Sequence, residues 1–151
     1  MRRMRRAILL AAGLTAGPAC AFDPAGVDII GLRLGMQIPE VVSCLGRQGY
    51  KPNLTPTVIT ANTLDGRLKV MVSAERGVTE VRYVFRGHGA GELAFIPESV
   101  RARFGDPDQA KPPTWCRAVS PDGTCPDGEP SLTFLPETLT LILRAQADSG
   151  P

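Results

Sequence analysis

An alternating stretch, TVITANTLDGRLKVMVSA at residues 57–74, sets the architecture that we expect for this chain. Its centre, Asp65-Gly66, is the strongest short signal for a β-hairpin. On either side, Thr57–Leu64 and Arg67–Ala74 are rich in β-branched and apolar residues. In the second of these segments the apolar residues occupy every second position, which is the period of a half-buried strand. The stretch therefore predicts two antiparallel strands.

A third strand is predicted at Val78–Arg86, after a turn at Glu75-Arg76-Gly77. Val81, Tyr83 and Phe85 form its apolar face, and mostly charged residues form the other face. One buried and one wet face is the pattern of an antiparallel sheet that is covered on one side.

The segment before these strands predicts a short amphipathic helix. Proline suits a first helical turn and glycine suits a helix end, as found at Pro39 and Gly49. The apolar residues of the segment recur at intervals of three and four: Ile38, Val41, Val42 and Leu45.

A similar order of elements is predicted in the second half. Helical spacing extends over Glu92–Gly105, with Pro97 near its start or at a kink. We therefore predict an α+β fold of two helix-plus-three-strand units, roughly 29–86 and 92–145, forming one antiparallel sheet with the helices packed on one face. The three strands predicted for the second unit are Thr114–Val119, Ser131–Leu135 and Thr138–Arg144.

The first 21 residues predict a secretory signal peptide. Four arginines and no acid open the chain, an apolar run follows at Ala7–Ala16, and Ala19-Cys20-Ala21 matches the pattern cut by signal peptidase. The apolar run is about half of the roughly 20 residues that cross a bilayer. We place the cut between Ala21 and Phe22, so that 22–151 is a single exported domain, periplasmic or secreted, without a transmembrane segment.

Two other export signals compete with this interpretation. Arg5-Arg6 is similar to a twin-arginine signal, but paired arginines are common in ordinary signal peptides. Cys20 could be the acylated cysteine of a lipoprotein, although Gly17 stands where that motif has leucine. We do not expect a lipid anchor at Cys20.

Removal of the signal reverses the sign of the net charge. The whole chain has 17 basic and 15 acidic residues, and four of the basic ones precede Ala7, which leaves 13 basic and 15 acidic residues and a charge of −2. The sequence then shows no Lys/Arg cluster for phosphates, and aromatic residues make up 5% of the chain. We therefore expect no nucleic-acid partner.

The cysteines predict one disulfide, between Cys116 and Cys125. A Pro-Asp-Gly turn lies between them, and an exported protein meets an oxidising compartment. A zinc site is the alternative, but zinc ligands usually come in closely spaced pairs, which these residues lack. Cys44 is expected to be a buried apolar residue on the first helix. We expect no metal and no other cofactor.

No catalytic residues are predicted. The exported part has one histidine, His88, which lies between two glycines and is poorly placed to act as a fixed base. The Gly-x-Ser-x-Gly motif of serine hydrolases is absent from the sequence. We therefore predict that the protein is not an enzyme.

Two short motifs resemble a known family. Gly31-x-x-Leu34-Gly35-Met36 before the first helix, and the run from Val100 through Phe104-Gly105-Asp106-Pro107 to Trp115, are similar to motifs of the SmpA/OmlA (BamE-type) outer-membrane assembly lipoproteins. The tandem order also resembles the β-lactamase-inhibitor-protein fold. This resemblance implies binding to other envelope proteins over a sheet face or through loops.

Together these features predict a periplasmic binding or scaffold protein that engages another envelope protein. An inhibitor of a periplasmic or secreted enzyme is the alternative, and a small envelope hydrolase comes after it. Tryptophan and arginine are favoured at binding hot spots, which makes Trp115 and Arg117 the candidate binding surface. For Trp115, a place in the core under the second helix is the favoured alternative.

Overall fold

A computed structural model describes residues 22–87 and 89–145 of the chain. Their elements are two α-helices and eight β-strands, with a short 3-10 helix at Pro24–Gly26. The elements run in the order α1 (Ile38–Arg47), β1 (Asn53–Leu54), β2 (Val58–Asn62), β3 (Gly66–Ser73), β4 (Gly77–Phe85), α2 (Ala90–Phe104), β5 (Gln109–Ala110), β6 (Pro113–Cys116), β7 (Ser131–Leu135) and β8 (Thr140–Arg144).

All eight strands belong to one antiparallel sheet with the order β1-β2-β3-β4-β8-β7-β6-β5. Neighbouring strands are consecutive in the chain except at the centre, where β4 pairs with β8 in the register Val81↔Leu143. This pairing joins the two halves of the sheet.

The predicted architecture of two helix-plus-three-strand units is wrong. The described residues form a sheet of eight strands with only two α-helices, so that the fold is dominated by the sheet. The two strands missing from the prediction, β1 and β5, are two residues long each and lie at the edges of the sheet. Two residues are too few to show an alternating pattern, and these strands form because the chain brings them alongside β2 and β6.

The core lies on one face of the sheet. Leu68 and Val70 of β3 are fully buried. The residues aligned with them in register on β4 and β8 are buried too: Tyr83, Val81, Leu141 and Leu143. Helix α1 adds Val41 and Leu45 to this core, whereas the only fully buried residue among the described side chains of α2 is Val100. Helix α2 packs against this core through Ile96, Val100 and Phe104, but most of its other described residues are exposed.

Local sequence explains how α1 begins. The backbone N–H of Gln37 donates to Glu40 Oε2 at 2.6 Å, and the Gln37 side chain accepts in return from the first helical turn. This reciprocal pair is a capping box, and it satisfies N–H groups that have no partner within the helix. Pro39 follows in the first turn.

The segment before α1 is fixed against the start of β4. Gly35 N–H donates to Val78 O at 2.9 Å, and Val78 N–H donates to Met36 O at 2.9 Å. Gly77 has φ +69°, and a Cβ at that position would lie 2.5 Å from Met36 O. Only glycine fits both this backbone conformation and this close approach.

Candidate functional site

The second face of the sheet, here called the open face, carries the side chains that alternate with the core residues. Strand register aligns one row of them across six strands, and neither helix contributes a residue to the two clefts on this face. Five of the six residues in this row are polar, although Thr114 and Ile142 are buried, and the face also carries the apolar residues Met71, Val84 and Leu135 on either side of the row. The row consists of Thr60, Lys69, Arg82, Ile142, Thr133 and Thr114.

The centre of the open face holds a charge cluster around Glu80. Glu80 Oε1 accepts from Arg82 Nη2 at 3.1 Å, and Glu80 Oε2 accepts from Arg144 Nε at 2.9 Å. Only 15% of the Glu80 side chain is exposed, against 40% for Arg82 and 44% for Arg144. Since Arg144 belongs to β8, the cluster spans the pairing that joins the two halves of the sheet.

The half of the open face over β1–β3 is cationic. Lys51, Arg67 and Lys69 are exposed there, and none of them has an ion-pair or hydrogen-bond partner within the part of the chain that the structure describes. A cleft with a volume of ≈ 330 Å³ lies beside them. No carboxylate lines this cleft, whose residues are Lys51, Asn53, Thr60, Ala61, Asn62 and Arg67. We call Lys51, Arg67 and Lys69 the cationic half.

A rigid loop bounds the opposite end of the open face. Cys116 and Cys125 form a disulfide, which confirms the predicted pairing. Two side chains near β5 hold the bridge from outside: Asp108 Oδ2 accepts from Cys116 N–H at 2.9 Å, and Gln109 Oε1 accepts from Cys125 N–H at 3.1 Å. The loop is thus fixed at both of its ends.

The segment after the bridge, Cys125–Glu129, forms one side of a second cleft, of ≈ 320 Å³. The other side consists of residues on the open face of β6–β8, among them Thr114, Thr133 and Arg144. Asp127 and Glu129 are exposed on the segment and place two carboxylates beside the cleft. We call Asp127 and Glu129 the acidic wall.

The open face therefore has unpaired positive charges at the cationic half and negative charges at the acidic wall, on opposite sides of the central cluster. The sequence shows no basic cluster because the five residues lie far apart along the chain: Lys51, Arg67, Lys69, Arg82 and Arg144. Their gathering depends on strand register. The alternation of charged residues in β3 and β4 was the signal in the sequence, but it does not say which strands become neighbours.

Of the two candidate binding residues, Trp115 lies on the core side of the sheet, whereas Arg117 follows β6 and is exposed. Trp115 is 2% exposed, its ring lies 5.9 Å from that of Phe104, and its Nε1–H donates to Gly105 O at 3.2 Å. Arg117 donates to Asp23 Oδ1 at 2.9 Å. This hydrogen bond lowers the pKa of the Asp23 carboxyl and raises the pKa of the Arg117 guanidinium. The structure thus places Trp115 in the core, which was the favoured alternative.

The remaining residues of interest show no assembled chemistry. Cys44 is a buried free thiol on α1, as expected. Among residues 22–87 and 89–145 there is no group of three or more metal-binding side chains and no helix long and apolar enough to cross a membrane. His88, Cys20 and Ala21 lie outside the described residues, and so does the predicted signal peptide.

No protein-family model, curated protein or solved structure matches this chain. The resemblances noted in the sequence therefore stay predictions, and a functional assignment depends on the geometry of the open face.

Proposed function

We propose that this protein is an exported binding protein without catalytic activity, which engages another envelope protein through the open face of its sheet. The observation that carries this proposal is the segregated charge on that face, with a cationic half at one end and a disulfide-fixed acidic wall at the other. The similarity of the motifs around Gly31 and Val100 to the assembly lipoproteins supports the same kind of function.

A binding role fits the composition of the face. A purely solvated sheet face normally intersperses charges of both signs, because like charges on neighbouring strands destabilise the sheet. Here Lys69 lies directly opposite Arg82 in the strand register. Arg67 lies two residues before Lys69 on the same strand and therefore on the same face. Arg82 is paired with Glu80, but Arg67 and Lys69 have no such partner among the described residues, and carboxylates of a binding partner would relieve the repulsion between them.

The face suits a protein better than a nucleic acid or an anionic membrane. A uniformly anionic surface would be attracted by Lys51, Arg67 and Lys69 but repelled by Asp127 and Glu129. A protein can present charges of both signs in matching places. The strand residues on the open face also lack the aromatic rings on which single-stranded bases stack.

In-cell photo-crosslinking tests this proposal. A photoreactive residue at Lys69 lies on the open face, and the matched control at Ala102 lies exposed on α2, which packs on the opposite face. We expect Lys69 to give one dominant crosslinked envelope protein other than a second copy of this chain, and Ala102 to give none. Crosslinks from Ala102 alone, or the same products from both positions, would contradict the assignment of the open face.

The export step has a test of its own in the intact mass of the secreted protein. We expect loss of residues 1–21, a mass lower by two protons for the disulfide, and no acyl chain. A lipid adduct on Cys20 would instead show a membrane-anchored protein.

Inhibition of a periplasmic or secreted enzyme is the second candidate function. The loop closed by the disulfide is exposed around Val119, which is 43% accessible, and such fixed loops insert well into an active-site cleft because little entropy is lost on binding. Stoichiometric inhibition of a hydrolase, lost on Val119→Asp and kept on Lys69→Ala, would favour this candidate over binding by the open face.

A further inference from the structure

We propose that two copies of this chain pair through their open faces about a two-fold axis, with the cationic half of each copy against the acidic wall of the other. This inference concerns the regulation of the site described above and rests on that proposed function. A second copy is the partner whose charges match this face, because the cationic half and the acidic wall both lie on the same open face.

The two charged regions are far enough apart to act separately. Strand β3, which carries Arg67 and Lys69, lies three strand spacings, or roughly 14 Å, from β7, and the cleft beside the acidic wall is lined by Ser131, Thr133 and Leu135 of β7. The Debye length at physiological salt is about 8 Å, so the two regions hardly neutralise one another within one copy. They can do so across an interface.

Symmetry then sets the arrangement of the pair. In a two-fold interface, a residue that contacts a second residue of the partner also receives that contact in return. An axis near β4 and β8 lies midway between β3 and β7, and it sends each acidic wall onto the cationic half of the other copy. The attraction is therefore formed twice.

The centre of the face keeps one net positive charge per copy, because Arg82 and Arg144 share the single carboxylate of Glu80, and this small charge opposes the pairing less than the two sets of opposite charges favour it. The cluster of Glu80, Arg82 and Arg144 lies near the proposed axis and already neutralises part of its own charge through hydrogen bonds to both carboxylate oxygens. The raised segment Cys125–Glu129 stands over only one half of the face. Two copies related by the axis can thus each place that segment over the other's uncovered half.

Pairing of this kind regulates access to the binding site. Each copy covers the open face of the other, so an envelope partner must displace the second copy. The apparent affinity for the partner then decreases as the concentration of the protein rises.

Charge exchange on the purified protein tests the pairing. Arg67→Glu with Lys69→Glu makes both regions acidic, and Asp127→Lys with Glu129→Lys makes both regions basic. We expect each double variant alone to dimerise at least about a hundredfold more weakly than the wild type in sedimentation velocity, since each apposes like charges. An equimolar mixture of the two variants should recover a heterodimer.

The control is Glu98→Lys, which reverses an exposed charge on α2, away from the open face, and should leave dimerisation unchanged. Circular dichroism establishes that each variant is folded. A wild-type protein that stays monomeric at low salt, or a mixture that stays monomeric when each variant is folded, overturns the pairing. Crosslinking to an envelope partner from Lys69 would still support the proposed function in that case.

Discussion

Replacement of Trp115 by alanine separates a core role from a binding role. The side chain is 2% exposed, and it is the only tryptophan of the chain. Its ring packs against Phe104, with 5.9 Å between ring centroids, and its Nε1–H donates to Gly105 O. Truncation removes both contacts and leaves a cavity under the start of the second half of the sheet.

The expected loss of unfolding free energy is a substantial fraction of the stability of a domain of this size. Trp→Ala substitutions in cores cost about 3–5 kcal/mol, and a domain of this length is stable by roughly 6–20 kcal/mol. Trp115→Phe keeps a ring against Phe104 and loses the hydrogen bond, which is worth about 1 kcal/mol. We therefore expect Trp115→Phe to lower the free energy of unfolding by less than half as much as Trp115→Ala does.

Urea unfolding followed by far-ultraviolet circular dichroism measures these differences, because the variants have no tryptophan fluorescence. Phe95→Ala is the control, since this side chain on α2 is 65% exposed and its loss should change the stability by less than about 0.5 kcal/mol. If Trp115→Ala stays within about 1 kcal/mol of the wild type and abolishes partner crosslinking from Lys69, the core assignment is refuted.

Three further changes have defined outcomes. Replacing Cys116 and Cys125 by alanine opens a loop with a sequence separation of 9 and should lower the free energy of unfolding by about 2–3 kcal/mol in urea denaturation, whereas an unchanged midpoint would show that the bridge does not restrict the unfolded chain. Gly77→Ala adds a Cβ 2.5 Å from a backbone oxygen at φ +69° and should lower the free energy of unfolding by about 1–3 kcal/mol, which is measured as a lower thermal midpoint. Asp23→Asn tests the pair with Arg117: because the hydrogen bond from Arg117 lowers the Asp23 pKa, its stabilisation is present above the unfolded-state pKa and is lost as the pH falls through the lowered folded-state pKa. Thermal midpoints of wild type and Asp23→Asn should thus differ at neutral pH and converge in strong acid, and a constant difference would exclude this linkage.

The sequence by itself determined most of the local elements. The Asp65-Gly66 turn and the two-residue alternation around it placed β2, β3 and β4 to within a few residues, and the helical spacing of Ile38, Val41 and Leu45 placed α1. These signals are local, because a strand or helix period needs only the residues within the element. The pairing of Cys116 with Cys125 was likewise predictable, because a tight turn joins the two residues.

Only the tertiary structure decided the number of strands, the role of Trp115 and the charge pattern of the open face. Strands β1 and β5 depend on neighbours rather than on their own two residues. The pairing of β4 with β8 joins segments that lie about 60 residues apart, such as Glu80 and Arg144, and no local period encodes it. Because this pairing brings distant strands into register, it also brings Lys69, Arg82 and Arg144 onto one face, which their positions in the sequence did not reveal.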